Sequence, residues 1–181
     1  MKVCIFNANG FEELESIGII DILRRGNVDV DIVSITDSLQ VVGAHDIKIV
    51  CDKLFKDIDF SEYEMAIFPG GVKGVEEIRN FKPIFEFIEY MHSNNKYLAA
   101  ICAAPVILGD AGLLEDNKFT CYEGFEQYVK NGTYVKEKVV INNRVITSNC
   151  AGSVFDFGFK LLSVLKGDND SDEVKSKMIL F

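Results

Sequence analysis

The sequence predicts an α/β fold: a mostly parallel central sheet with helices on both faces and a cysteine at a strand-to-helix elbow. Three observations point there. Short apolar runs recur, among them Val3-Cys4-Ile5-Phe6, Met65-Ala66-Ile67-Phe68 and Tyr97-Leu98-Ala99-Ala100-Ile101, as expected of strands covered on both sides. Helical segments separate these runs. No repeat, linker or low-complexity stretch interrupts the 181 residues, so they read as one domain, 1–181.

Residues 2–7 form the first strand and 12–25 a helix stopped by Gly26. Residues 29–35 form the next strand. Segments 40–42 and 48–51 form a small hairpin around Gly43-Ala44-His45-Asp46. A buried strand, 65–68, ends at Pro69-Gly70-Gly71. Residues 81–92 form an amphipathic helix with Ile84, Phe85, Ile88 and Met91 on one face. A central strand, 97–101, runs into a helix over 103–110, where Pro105 fits the first turn because it has no N–H to leave unpaired. A short strand over 119–122 and a short helix over 125–130 follow. Segments 136–141 and 144–148 make a hairpin about Asn142-Asn143, and 154–165 is a helix. The acidic stretch 167–173 reads as a solvated turn, with room for one more helix in the tail.

Composition narrows the function classes. A hydrophobic share of 48% supports a real core, and a net charge of -9 disfavours nucleic acid or an anionic membrane as partner. The N-terminus turns polar too early for a signal peptide, and the longest apolar run, 97–109, is too short to span a bilayer. Cysteines at 4, 51, 102, 121 and 150 are odd in number and scattered, without a CxxC. They read as reduced thiols in a cytoplasm rather than a disulfide framework or zinc site. With only His45 and His92, no metal site is expected.

Cys102 stands out. It sits between the strand ending at Ile101 and the helix opening near Pro105, with small residues at Ala100 and Ala104. This is the steric pattern of a nucleophile elbow. A helix N-terminus favours an anion, so a lowered thiol pKa is expected. A buried cysteine acting as a small hydrophobe is the plain alternative.

Active sites of such sheets form at the carboxyl ends of strands. Three ends converge in this reading: Asn7 to Gly10, Pro69 to Gly74, and the Cys102 elbow. Neither glycine turn carries a dinucleotide or P-loop pattern, so no nucleotide cofactor is expected. With Cys102 as nucleophile, the Gly71 and Ala103 N–H groups are candidate oxyanion donors, in a turn that includes Gly70. Otherwise these glycines simply make tight turns. Glu12, Glu13 and Glu15 suit the opening of a helix. Glu15 lies further in, on a helix expected to be largely covered; burial raises a carboxyl pKa, so a protonated Glu15 could donate to a thiolate.

The motifs Gly10-Phe11-Glu12-Glu13-Leu14-Glu15, Pro69-Gly70-Gly71, Ala99-Ala100-Ile101-Cys102-Ala103-Ala104-Pro105 and Thr147-Ser148-Asn149 resemble the ThiJ/PfpI superfamily, in the same order along nearly the whole chain. Within it, the chain is most similar to the branch of the parkinsonism-associated protein. The resemblance implies a flavodoxin-like three-layer sandwich, usually a homodimer. It also implies Cys102 as a readily oxidised thiol, Glu15 as its partner, and Gly71 and Ala103 as backbone donors. Activities across the branch include glutathione-independent glyoxalase, protein deglycase and redox-sensing chaperone.

The departures matter. Family peptidases place a histidine directly after the cysteine; here Ala103 stands there, so an intracellular cysteine peptidase would lack its base. Branch members often carry a histidine on the short strand after the elbow helix, and Tyr122 takes that place. Tyrosine is a poor base near neutral pH, which leaves Glu15 as the main acid–base group. Asn149 lies on the last loop of the pocket, and Cys150 follows where the family often has glycine. Cys150 and Cys121 are thus possible resolving thiols, or small packing residues. Two functions remain open: attack of Cys102 on a small reactive carbonyl, and a sensor in which Cys102 oxidises without turnover.

Overall fold

In the first strand, β1 (Lys2–Asn7), Val3 and Ile5 point to one face of the sheet while Cys4 and Phe6 point to the other, and all four are buried. This alternation in a fully apolar strand is what a sheet covered on both sides requires. The structure, a computed structural model, describes residues 1–179. The last two residues of the expected 1–181 span lie outside the described residues.

The elements follow in the order β1, α1 (Glu13–Arg25), β2 (Asp29–Ser34), β3 (Gln40–Val42), β4 (Lys48–Val50), β5 (Lys53–Leu54), β6 (Met65–Phe68) and α2 (Val72–Asn80). Then come α3 (Pro83–Ser93), β7 (Tyr97–Ile101), α4 (Pro105–Asp110), β8 (Lys118–Phe119), β9 (Thr133–Tyr134), β10 (Val139–Asn142), β11 (Val145–Ser148), α5 (Val154–Lys166) and α6 (Asp168–Lys177). Seven strands build the main sheet in the order β10-β11-β7-β6-β1-β2-β5. All neighbours are parallel except β10 and β11. Helices α2, α3 and α4 pack on the face that carries Cys4, Phe6 and Phe68; α1, α5 and α6 pack on the face that carries Val3, Ile5 and Ile101. This is the flavodoxin-like three-layer arrangement. Strand order reverses direction between β1 and β6, so the crevice at their carboxyl ends is the natural ligand site.

Several local expectations differ from the structure. Helix α2 was not foreseen. It starts at Gly71 without a capping side chain and contains Gly74, so it has neither a start signal nor strong propensity. The segment 167–173 is no turn: α6 begins at Asp168, its acidic first turn suits the helix dipole, and it docks on α5 through Val174 and Ser171. The strand expected over 119–122 shrinks to β8, which pairs with β9 outside the main sheet, and the helix expected over 125–130 is a single 3-10 turn, Glu126–Tyr128. The helix expected from residue 103 starts at Pro105 and has six residues. Among the described residues, no helix is long and apolar enough to cross a membrane.

Candidate active site

Three strand ends build the site. From β7 the chain enters Cys102, whose φ of 62° is a left-handed conformation rare for a side chain with a Cβ. Such strain is held only where the surroundings enforce it. Here the Cys102 N–H donates to the Ser148 carbonyl (3.0 Å), and the Cys102 carbonyl accepts from the Tyr122 N–H (2.8 Å). The elbow is thus clamped from both sides by the segments after β11 and β8.

From β1 comes Glu15. It is the third residue of α1, not a turn further in, and Glu12 is the residue that fixes it: the Glu12 carboxylate caps the helix by accepting from the Glu15 N–H (2.7 Å). The Glu12-x-x-Glu15 spacing was the readable signal for this role. Glu15 itself is fully buried, and its Oε2 accepts from the Gly70 N–H at 2.7 Å. Its Oε1 is buried without a hydrogen-bond partner.

From β6 come Gly70 and Gly71. A Cβ at Gly70 would lie 2.6 Å from Glu15 Oε2, 2.7 Å from Cys102 Cβ and 3.2 Å from Cys102 Sγ. Those distances put the carboxyl group and the thiol together in the space that the missing Gly70 side chain leaves open. Gly71 has φ 88°, and a Cβ there would meet the Gly10 carbonyl oxygen at 2.3 Å.

Burial pushes the Glu15 carboxyl up to about 7, against the stabilising Gly70 N–H. Burial, then the facing Glu15 carboxylate, pushes the Cys102 thiol up as well, with only the Ala103 N–H acting to stabilise the thiolate. This corrects the expected lowering. The helix behind the thiol has only six residues, and its dipole is outweighed by desolvation and by a neighbouring acid. Thiol and carboxyl therefore form a coupled pair in which the thiolate is favoured when Glu15 carries the proton.

The other candidates line an adjacent cleft of about 450 Å³, formed by Cys121, Tyr122, Glu123, Tyr134, Lys136, Asn149 and Cys150. Tyr122 is half exposed, with its ring 6.2 Å from that of Phe125. Asn149 Oδ1 is buried without a partner. Cys121 is buried, and its thiol donates to the Tyr122 carbonyl (3.4 Å). Sequence reasoning missed the rim pair Lys136–Glu123 (2.7 Å) and, within the Thr147-Ser148-Asn149 motif, the role of Thr147, whose Oγ1 accepts from the Thr120 N–H (3.0 Å) and ties the segment before Tyr122 to β11.

Neither histidine serves Cys102. His45 is bonded to Glu13 (Nδ1 to Oε2, 2.8 Å), and His92 lies in the last turn of α3, at the end of the sheet opposite the elbow. Glu12, Glu13 and His45 form the one group of three or more His, Cys, Asp or Glu among the described residues whose metal-ligating atoms lie within 4.8 Å of one another. It borders an apolar groove along α1 with Leu14, Ile17, Ile47 and Phe155, away from the cleft.

Comparison with known proteins identifies the family and the fold. A family model described as the DJ-1/PfpI family matches residues 1–164. The chain is 35% identical over 181 residues to Protein DJ-1 homolog B of Arabidopsis thaliana, covering 99% of this chain and 41% of that protein. It thus spans less than half the length of that relative. It is 29% identical over 171 residues to Glutathione-independent glyoxalase DJR-1.2 of Caenorhabditis elegans, covering 93% of this chain and 90% of that protein. Among solved structures, a cysteine-to-alanine mutant of a DJ-1 superfamily protein from Salmonella typhimurium superposes with a TM-score of 0.90 at 31% identity, covering 98% of this chain and 97% of that one.

Proposed function

The chain belongs to the DJ-1/PfpI family, and from that premise we propose that it is a cysteine-dependent stress-response protein acting on reactive aldehydes, with glyoxalase or deglycase-type chemistry at Cys102. The observation that carries this reading is the pairing of a strained, partly exposed thiol with a buried carboxyl whose pKa sits at about 7. A group poised near neutral pH can both take and return a proton.

In this reading the Cys102 sulfur bonds to the aldehyde carbon of a 2-oxoaldehyde, and the thiol proton passes to Glu15. The oxyanion accepts hydrogen bonds from the Gly71 and Ala103 N–H groups, then takes that proton to give the hemithioacetal. Glu15 next removes the proton from the former aldehyde carbon and returns it to the neighbouring carbon, while the hydroxyl proton passes from the first oxygen to the neighbouring one through the enediol. The resulting thioester is cleaved by water, releasing a 2-hydroxy acid and the thiol. No cofactor or glutathione enters. Tyr122 and Asn149 orient the carbonyl substrate from the cleft side. The working unit is a homodimer in the cytoplasm. The exposed apolar residues Leu14, Ile17, Ile47 and Phe155 support the former, and five free cysteines support the latter.

A second reading, a redox-sensing chaperone without turnover, is favoured by the unpartnered Glu15 Oε1, which can hold an oxidised Cys102. Incubation with methylglyoxal, free of glutathione, and product analysis by NMR separates them. Lactate formed by the wild type and absent with Cys102→Ser supports the enzyme. No lactate, with peroxide-dependent protection of a client protein, supports the sensor and ends the enzyme reading.

A further inference from the structure

Strands β7 and β11 run side by side, with Ile101 in register with Ser148, and the ladder continues past their ends through the Cys102 N–H to the Ser148 carbonyl. Two residues past β11, Cys150 is itself extended, with φ -165° and ψ 169°, and heads the 3-10 turn Ala151–Ser153 that leads into α5. Asn149 thus stands beside Cys102, and Cys150 one step diagonally beyond it. With strands roughly 4.8 Å apart and a rise of roughly 3.3 Å per residue, such a step spans about 6 Å. That falls within the ~4.4–6.8 Å that a disulfide needs between Cα atoms.

Accessibility separates the thiols further. Cys102 and Cys150 are both partly exposed, whereas Cys4, Cys51 and Cys121 are buried. Burial and then the Glu126 carboxylate push the Cys121 thiol up to about 12, which leaves it a poor nucleophile. A negative charge on Cys150 is felt at Cys102, as expected of neighbours.

We propose that Cys150 is the resolving thiol of Cys102, so that a hydroperoxide converts the pair into a reversible disulfide. This rests on Cys102 being the reactive nucleophile, as in the function proposed above. In the first step the Cys102 thiolate attacks a peroxide oxygen: an S–O bond forms, the O–O bond breaks, and the leaving alkoxide or hydroxide takes a proton. Sulfur loses two electrons to the peroxide and becomes a sulfenic acid. In the second, the Cys150 sulfur attacks the Cys102 sulfur. The S–S bond forms, the S–O bond breaks, and hydroxide leaves with the Cys150 proton as water. A dithiol reductant restores both thiols. The disulfide competes with further oxidation of Cys102 to the sulfinic acid.

The test is equimolar hydrogen peroxide on the whole protein, alkylation of remaining thiols, and peptide mapping without reduction. The expected product is a Cys102 peptide joined to the Cys150 peptide, two hydrogens lighter than their sum and separated by dithiothreitol. In Cys150→Ser the joined peptide should vanish and the Cys102 sulfinic fraction rise several-fold. A wild-type Cys102 that only gains oxygen, or that joins Cys121, overturns the assignment of Cys150 while leaving the nucleophile reading intact. A Cys102 that neither links nor gains oxygen, and alkylates no faster than Cys51, overturns both. The wild-type map decides by itself, so no variant has to fold.

Discussion

Two of the buried carboxyl groups, Asp31 and Glu15, are kept in opposite states. Asp31, on β2, accepts from the Tyr63 hydroxyl (2.7 Å) and lies 3.1 Å from Lys2 Nζ and 3.0 Å from Lys53 Nζ. Burial opposes its charge, but the hydroxyl and the two ammonium groups together hold it below the usual carboxylate range. Glu15, at the carboxyl end of β1, has one backbone donor and no cation, so burial prevails and its pKa rises. The contrast extends to other polar atoms. Among the described residues, the buried side-chain groups without partners are those of Asn7, Glu15, Ser16 and Asn149, all at the carboxyl ends of β1 and β11. Buried polar groups are normally paired, and exceptions gather where chemistry is done. One acid is therefore part of the scaffold. The other is left under-satisfied beside Cys102, at a cost to stability.

The comparison breaks most sharply in turnover. Glu15→Gln preserves shape but cannot shuttle a proton, so it should fold normally and lose about 10²–10⁴-fold in aldehyde turnover; Glu15→Leu should lose it too. A folded Glu15→Gln with wild-type kcat would remove Glu15 from the proposed shuttle. Asp31→Ala should do the reverse. Leaving the Tyr63 hydroxyl without its acceptor, and Lys2 and Lys53 with Glu62 alone, should cost about 3 kcal/mol in denaturant unfolding, with turnover of the folded protein unchanged. A loss in turnover but not in stability would erase the division of roles.

A finer test is pH. The folded value of Glu15, about 7, lies above its unfolded value of ~4.3. Its contribution to stability is therefore full below ~4.3 and is lost as pH rises through about 7. Relative to Glu15→Gln, the wild type should lose roughly 3 kcal/mol between about pH 4 and pH 8, read from urea midpoints. Asp31 is depressed, so its contribution is present above ~3.9 and disappears as pH falls through its folded value. A pH-independent gap between wild type and Glu15→Gln would mean that Glu15 is not protonated in the fold near neutrality.

Much of this was readable along the chain. The bounds of β1, β6 and β7 coincide with their apolar runs, because a strand covered on both faces must be apolar throughout. The elbow was visible in Ala100, Cys102 and Ala104, since a sharp turn excludes bulk, and the φ of 62° at Cys102 is that turn. Helix α2 was not visible, because Gly71 and Gly74 look like a loop until Val75 and Ile78 find the sheet. A further helix in the tail was foreseen but not its start: α6 begins at Asp168, inside an acidic stretch that becomes helical against α5.

The sequence by itself determined the element types of the apolar segments, the family and the candidate pair, Cys102 and Glu15, on which the proposed chemistry rests, because these reside in local pattern and side-chain identity. Only the tertiary structure decided the protonation balance. A lowered thiol pKa follows if Cys102 is considered with the helix that succeeds it in the chain. The raised value follows once Glu15, from a distant strand end, is brought against it behind Gly70 and water is removed from both. Desolvation and charge–charge terms depend on what lies within a few ångströms in space, and neighbours in space are set by strand order, which no local window of sequence contains.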